Sequence, residues 1–329
     1  KLQYFVLIIT FVLPLMLLNR KLGYFWLLPQ FGYGAAISDL QQQFDFSWAR
    51  PLTGDSPFAW FSLCFTLMFG TAGLPHVLSR FYMVPGIRDA RWGVAWGLFF
   101  IALIYWSAPA YGVLARLFEA RGGLPFTVTD PRRADMAVLS AALNGGLPQW
   151  MTGLLVAGGM SAAFSTVAGL ILTGSASFSY DIYPRLIRPH ASETDKVYAA
   201  KGFFLVLALV ALGLSLRQTD MMIAEIAALA FALAGNTIFP AFLLGIWWGR
   251  ANAAGVISGM LTGVVITFAP LVAGTSVPLI GRLFPATSSA FLGAPVVLAV
   301  MIAVSLVTPP PSKEIRSFLS RNVHEAPEE

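Results

Sequence analysis

The chain has 329 residues, 57% hydrophobic and 11% charged, with a formal net charge of +5 and a mean hydropathy of +0.72. Soluble globular domains carry about 25% charged residues, so the composition excludes a soluble fold, and long apolar runs in place of short alternating segments exclude a membrane β-barrel. The basic residues are scattered between apolar runs, as anchors and topology signals are, which argues against nucleic acid as a partner.

Residue 1 is a lysine at the edge of an apolar run, and the chain is expected to be a fragment whose earlier helices lie upstream. Leu2 to Leu18 forms a first span with Pro14 inside it, and Asn19, Arg20 and Lys21 are expected to end it. A loop follows to about Ser56; within it Phe31 to Phe46 is mixed in character and reads as an interfacial segment, helped by Tyr24, Trp26 and Trp48. Pro57 to about Met83 is a second span, interrupted by FGTAGLPH (Phe69 to His76). Gly70, Gly73 and Pro75 free backbone groups there, which at membrane depth is tolerated only where protein or a wet cavity satisfies them. Residues 70–75 are therefore expected to leave regular helix and to face the interior, as discontinuous helices do in secondary transporters; a simple proline kink is the other reading. His76 follows the break, either as a group titrating near neutral pH or as a satisfied interior histidine.

Trp92 to about Phe118 is a third span, and Glu119 to Pro148 a long polar loop with a short helix over Ala134 to Leu143. The fourth span, Gly153 to Asp181, carries no charge before its last residue. At about 100° per residue, Gly158, Ser161, Ser165, Gly169, Thr173 and, at the margin, Thr166 share one face, with Met160, Phe164, Val167, Ile171 and Phe178 opposite. A small hydroxylated face is either a packing seam between helices or the lining of a site. A basic loop is expected after Asp181. Ala199 to Leu216, Met221 to Trp248, Ala253 to Ala273 and Ser289 to Val307 complete about eight spans, before Pro309 to Pro311 and a charged tail. Residues 1–308 thus read as the transmembrane domain and residues 309–329 as the tail. Glu225 lies near the start of the sixth span, as an interfacial carboxylate or a functional one, with Asn236, Thr237 and Pro240 deeper.

Arg80, Arg88, Arg91, Arg185, Arg188, Lys196, Arg250, Lys313, Arg316 and Arg321 fall in short loops and the tail on one side. The positive-inside rule places that side, with residue 1 and the C-terminus, in the cytoplasm. The single Cys64, within an apolar run, makes no disulfide framework, and three histidines far apart in sequence make no metal motif. Nor is there a nucleophile elbow or phosphate loop, which argues against an enzyme.

LMFGTAGLPHVLSRFYMVPGIRDAR (Leu67 to Arg91) followed by GGMSAAFSTVAGLILTGSASFSYDIY (Gly158 to Tyr183) resembles the solute:sodium symporter family, and most of all its cation–acetate, or monocarboxylate, branch. The resemblance runs over nearly the whole chain. It implies an all-α membrane protein with the LeuT-like inverted-repeat transporter fold, here incomplete. Residues 2–248 would be the last helix of the first repeat and all five of the second, with two added C-terminal helices and the first four core helices missing.

The same resemblance implies half of a sodium site on the fourth span. Ser165 and Thr166 match its hydroxyl pair and Ala162 its carbonyl donor; the other ligands belong to a core helix outside this chain. Oxygen ligands without a full counter-charge suit a hard monovalent cation. Gly70, Thr71, Ala72 and Gly73 of the broken helix, with Asn236, are the candidate solute-binding residues. The implied function is sodium-coupled symport of a small organic solute, a monocarboxylate such as acetate, in a bacterial inner membrane. A transporter-like sensor module and a proton-coupled or uncoupled carrier of the same fold are the alternatives.

Overall fold

A computed structural model describes residues 2–44, 57–81, 83–123, 130–217, 221–273 and 285–319. Their regular structure is helical, with no strand among the described residues. Seven helices are long and apolar enough to cross a membrane, and a bent pair makes an eighth span. The protein is an all-α, multi-pass membrane protein. Its chain forms two compact units, one of residues 1–51 and 81–222, the other of residues 52–80 and 223–329.

In the first unit α1 (Leu2–Leu22) runs four residues past the expected end. Asn19 does not stop the helix, because its side chain is fully buried and donates to the carbonyls of Phe25 and Pro29 at 3.2 and 3.1 Å. Gly23 ends it instead, with φ of 81°. Its amide donates to Arg20 and that of Tyr24 to Asn19, the paired bonds of a Schellman motif, which satisfy carbonyls the helix end would leave bare. A 3₁₀ turn (Pro29–Phe31) leads into α2 (Tyr33–Phe44). α2 buries Ala36 and Leu40 against α5 (Ile87–Ala120), so one face of the segment read as interfacial belongs to the core.

That core joins Leu15 and Leu18 of α1 to Tyr111, Leu114 and Leu117 of α5, to Ala141 of α7 (Ala137–Asn144), which follows the single turn α6 (Pro131–Ala134), and to Leu155 of α8 (Gln149–Ser177). Tyr111 is buried and can be so because its hydroxyl donates to the Phe11 carbonyl at 2.6 Å. Gln30 and Ser107 likewise satisfy each other at 2.9 Å. Arg116 and Glu119, both largely buried, form an ion pair near the end of α5.

Beyond Ser177 the chain continues as a π-helix (Phe178–Ile187) where a basic loop was expected. Pro184 has no amide to serve the carbonyl four residues back, and the wider register, with the Arg188 amide donating to Tyr183, accommodates it. α9 (Glu193–Ser215) starts six residues ahead of the expected Ala199. Ser192 and Asp195 form a capping box there, with reciprocal bonds of 3.2 and 3.0 Å, so polar residues open the helix instead of preceding it.

In the second unit α3 (Pro57–Gly73) and α4 (Pro75–Phe81) meet at a 52° bend. α10 (Ile223–Trp247) and α12 (Ala290–Val307) pack with α3, α11 (Ala253–Ala273) packs with α10 and α12, and α13 (Lys313–Leu319) follows the three prolines. Gly255, Gly259 and Gly263 form one stripe on α11. A Cβ on them would lie within 2.7 Å of Ser305 or Met301 of α12, or of the Asn236 carbonyl of α10. Such small-residue stripes let helices approach closely in lipid, where apolar burial alone gives no drive to associate. Asn252 caps α11 through the Gly255 amide at 2.9 Å and donates to Thr308 and Pro309 at 2.8 Å each, pinning the end of α12.

Outside the spans, the Tyr24 hydroxyl donates to Asp39 Oδ2 at 2.5 Å, with Arg121 3.9 Å from the same oxygen. Burial, then the hydrogen bond and negative charge of Asp39, push the phenol up to about 12 from an ordinary 10.0. The folded state therefore holds this proton more tightly than the unfolded chain. Its contribution to stability is complete below pH 10 and is lost as pH rises through about 12. In a tyrosinate absorbance titration, Tyr24→Phe should remove a transition near pH 12 and leave the ordinary ones in place; loss of a transition near pH 10 would show that Tyr24 is not held this way.

Candidate functional site

The candidate residues fall in both units, and each group is placed within its own. In the first unit Ala162, Ser165 and Thr166 lie in the middle of α8. Ala162 and Ser165 are half-buried and Thr166 is exposed. Thr166 Oγ1 donates to the Ala162 carbonyl at 3.1 Å, so the two oxygens assigned to ion binding already sit side by side. Each keeps lone pairs free, because a carbonyl and a hydroxyl both have acceptor capacity beyond one such bond. Further along, Thr173 and Ser175 also donate to the carbonyls four residues back, as hydroxyls in apolar helices do. Ser165 is different: its hydroxyl makes no hydrogen bond among the described residues.

Along the hydroxyl-bearing face, packing is local. Gly158 is buried, and a Cβ on it would lie 2.3 Å from Thr10 Oγ1 of α1. One turn further, Ser161 is exposed, and Gly169 and Thr173 are half-buried. Within this unit the face is thus a packing seam at Gly158 and open surface at Ser161.

In the second unit helix persists through Gly73 and breaks only at Leu74, so the irregular stretch is shorter than residues 70–75. Proline at the first position of α4 explains this, since its ring disfavours helical backbone at the preceding residue. Gly70 and Gly73 are buried. A Cβ on Gly70 would lie 2.5 Å from the Phe231 carbonyl, and one on Gly73 2.6 Å from the Ala234 carbonyl and 3.0 Å from the Phe239 amide, all of α10. Thr71 and Ala72 point the other way and are exposed, with the Thr71 hydroxyl donating to Leu67 at 2.7 Å. His76, second in α4, is half-buried, and its Nδ1 has no partner among the described residues. Glu225 sits in the first turn of α10, half-buried.

Asn236 is fully buried and donates through Nδ2 to Thr267 Oγ1 of α11 at 2.9 Å and to Ser289 Oγ at 3.0 Å, just ahead of α12. Its Oδ1 has no partner among the described residues and faces Gly293, whose absent side chain makes room for it. The structure thus gathers Gly70, Gly73 and the backbone before Asn236 at one close helix contact. The Asn236 amide is directed to α11 and the start of α12, and Thr71 and Ala72 lie on another face of α3.

Ser62 and Thr66, also buried and with hydroxyls that have no partner among the described residues, continue the Gly70 face of α3 and escaped the sequence reading. Their four-residue spacing to Gly70 was the available signal. On α10, Ala228, Ala232 and Gly235 are buried, and a Cβ on Gly235 would lie 3.2 Å from the Gly70 amide nitrogen. Phe69 and Phe239 stack beside this contact, with ring centroids 4.7 Å apart.

The sequence pattern of the sodium:solute symporter family matches residues 6–263. The chain belongs to the sodium:solute symporter family. Among its relatives, an uncharacterized symporter of Cupriavidus necator is 35% identical over 291 residues, covering 75% of this chain and 42% of the relative. The Monocarboxylic acid transporter of Corynebacterium glutamicum is 32% identical over 219 residues, covering 65% and 39%. The uncharacterized symporter YwcA of Bacillus subtilis is 30% identical over 210 residues, covering 64% and 40%. The chain therefore spans about two fifths of the length of the curated relatives it matches. The family match takes in α8, the bend between α3 and α4, and α10.

Because Gly70 and Gly73 meet backbone, which cannot swing aside, Gly70→Ala and Gly73→Ala should each destabilise the purified protein by about 1–3 kcal/mol. Thr71→Ser, on the exposed face, serves as the comparison. Thermal unfolding in detergent measures the difference, and a Gly73→Ala protein that unfolds at the wild-type temperature would contradict the close contact.

Proposed function

We propose that this chain forms part of a sodium-coupled symporter that moves a small organic solute, a monocarboxylate such as acetate, across a bacterial inner membrane by alternating access. Membership of the symporter family supports the reading, and the oxygens of α8 carry it: the Ala162 carbonyl and Thr166 Oγ1 lie 3.1 Å apart, and the adjacent Ser165 hydroxyl is unengaged among the described residues. Oxygen donors of this kind can replace part of the hydration shell of sodium. In this reading Ala162, Ser165 and Thr166 are half of the ion site, and the remaining ligands come from the part of the fold that the longer relatives contain. Sodium binding then orders α8 for the solute, and the two affinities are coupled reciprocally. The monocarboxylate assignment leans on the similarity to the Corynebacterium glutamicum transporter. The solute site is assigned to the α3–α4 bend, with Gly70, Thr71, Ala72 and Gly73, and to Asn236. Proton-coupled carriage and a sensor role are the competing readings; uptake that ignores the sodium gradient would favour them.

The test uses a complete symporter containing this chain, reconstituted in vesicles with labelled acetate. Ser165→Ala and Thr166→Ala each remove one oxygen and keep a good helix former. If each hydroxyl contributes about 1–3 kcal/mol, the half-saturating sodium concentration should rise roughly 5- to 150-fold, while the acetate constant at saturating sodium moves much less. Ser177→Ala, at the end of α8 and outside the matched ligand positions, should leave the sodium curve in place. An unchanged curve for Ser165→Ala, with lower protein yield, would make that residue a packing position only.

Orientation is the second element of the proposal. Residues 1–308 form the transmembrane domain, and the tail from residue 309, with Lys313 and Arg316 on α13, lies in the cytoplasm with the short basic loops. A reporter fused after Glu329 should read cytoplasmic and one inserted in the 119–147 loop external; the reverse pattern would overturn the orientation.

A further inference from the structure

A hydroxyl buried on an apolar helix ordinarily donates to the carbonyl four residues back. In this chain Ser107, Ser140, Ser175, Thr237 and Thr267, all buried, do so at 2.6 to 2.8 Å. Ser62 and Thr66 of α3 do not. They are 3% and 0% exposed, and neither hydroxyl has a partner among the described residues. Both are covered by helices of their own unit, so no further part of the fold is needed to bury them. A bare donor in an apolar interior is costly, and each of these two has forgone a carbonyl one turn away.

The surroundings supply no protein partner. Gly70 faces the Phe231 carbonyl and Gly73 the Ala234 carbonyl, so three residues along α3 match three along α10, and the two helices run in the same direction. Thr66, one turn before Gly70, therefore falls beside the turn of α10 that buries Ala228, with Ala232 one turn on. Those side chains are methyl groups without a polar atom. From α12, Phe291 packs on Phe58 and Phe65 of α3 at 5.7 and 5.3 Å between centroids, an apolar wall on another side. At Gly70 and Gly235 the backbones close, since a Cβ on Gly235 would lie 3.2 Å from the Gly70 amide nitrogen.

The chemistry of two hydroxyls selects the occupant. Each brings a proton that needs an acceptor as well as an oxygen that can accept. A cation would engage the oxygens and leave both protons bare. A water oxygen accepts both protons, and its own hydrogens can go to helix carbonyls, which keep a second lone pair. Side chains four apart on a helix have Cβ atoms about 5–6 Å apart, a span that two O–H···O bonds of about 2.8 Å each can cross. Buried waters of this kind make about three hydrogen bonds and are held as part of the structure.

We propose that one buried water bridges the Ser62 and Thr66 hydroxyls between α3 and α10. This site lies on the face of α3 turned away from Thr71 and Ala72, and it is separate from the solute and ion sites.

The 329-residue chain, purified in detergent, allows a double-mutant cycle by thermal unfolding. With a bridging water, Ser62→Ala and Thr66→Val should each lower the midpoint by about 2–4 °C, because each leaves the other hydroxyl bare. The double variant should unfold no lower than the less stable single one, since the water is lost only once. Single variants at or above the wild-type midpoint, or effects that add in the double variant, would overturn the proposal. Solid-state NMR of the threonine-labelled chain in liposomes reads the water directly. Magnetisation should pass from water to Thr66 in wild type and not in Ser62→Ala, while Thr267, buried but paired with Gly263 and Asn236, should receive none. No transfer to Thr66, or transfer that survives Ser62→Ala, would equally refute a shared water.

Discussion

Close approach of helix backbones at small residues is the constraint on which the second unit depends. Lipid tails are as apolar as leucine, so burying leucine between helices gains little; packing, hydrogen bonds and lipid entropy must hold the helices together. α3 meets α10 through Gly70, Gly73, Ala232 and Gly235, and α11 meets its neighbours through Gly255, Gly259 and Gly263. Where backbones come this near, few partners are left for a buried polar group. The Asn236 amide nitrogen reaches Thr267 and Ser289, while its Oδ1 and the hydroxyls of Ser62 and Thr66 have no partner among the described residues. Close packing in this unit thus comes with buried polar groups that are only partly satisfied.

The first unit reaches the same end by other means. Its core is larger in side chain, with Leu15, Leu18, Tyr111, Leu114 and Leu117. Several polar groups within it are paired, Tyr111 with the Phe11 carbonyl, Gln30 with Ser107 and the Asn19 amide nitrogen with the turn after α1, while Asn19 Oδ1 and the Thr152 hydroxyl have no partner among the described residues. α8 contributes Met151, Thr152, Leu155 and Gly158 to buried positions, and then its middle turns, with Ser161 and Thr166, emerge exposed. The proposed ion site needs oxygens that packing has not consumed, and the Ser165 hydroxyl makes no hydrogen bond among the described residues. The neighbouring Thr166–Ala162 bond holds two further oxygens together.

The helices were legible from apolar run length alone, because a span must satisfy its own backbone and so must be long and continuous. α11 begins and ends where the sequence placed it, at Ala253 and Ala273, and α10 and α12 fall within two residues of expectation. The errors sit where polar residues serve a helix instead of ending it. Asn19 was read as a stop and is a buried donor; Ser192 and Asp195 were read as loop and form a capping box; Pro184 was read as loop and is housed in a π-helix. In each case the local chemistry admitted both readings, and the outcome depended on whether a partner lay within reach.

The sequence by itself determined that this is an all-helical membrane protein, that its second span is interrupted, and the family to which it belongs. Run length, the Gly and Pro positions and the two motifs are properties of the chain read in one dimension. Only the tertiary structure decided what the small residues are for. Gly70 and Gly73 lie flush against the backbone of α10, the Asn236 amide turns to α11 and the start of α12, and Gly93 and Gly97, the same residue type, have nothing within 4 Å of a Cβ among the described residues. A glycine's sequence position says only that a side chain is absent. Whether a neighbouring helix, a hydrogen-bonded amide or empty volume takes its place is set by which faces pack together, and that is a property of the assembled fold.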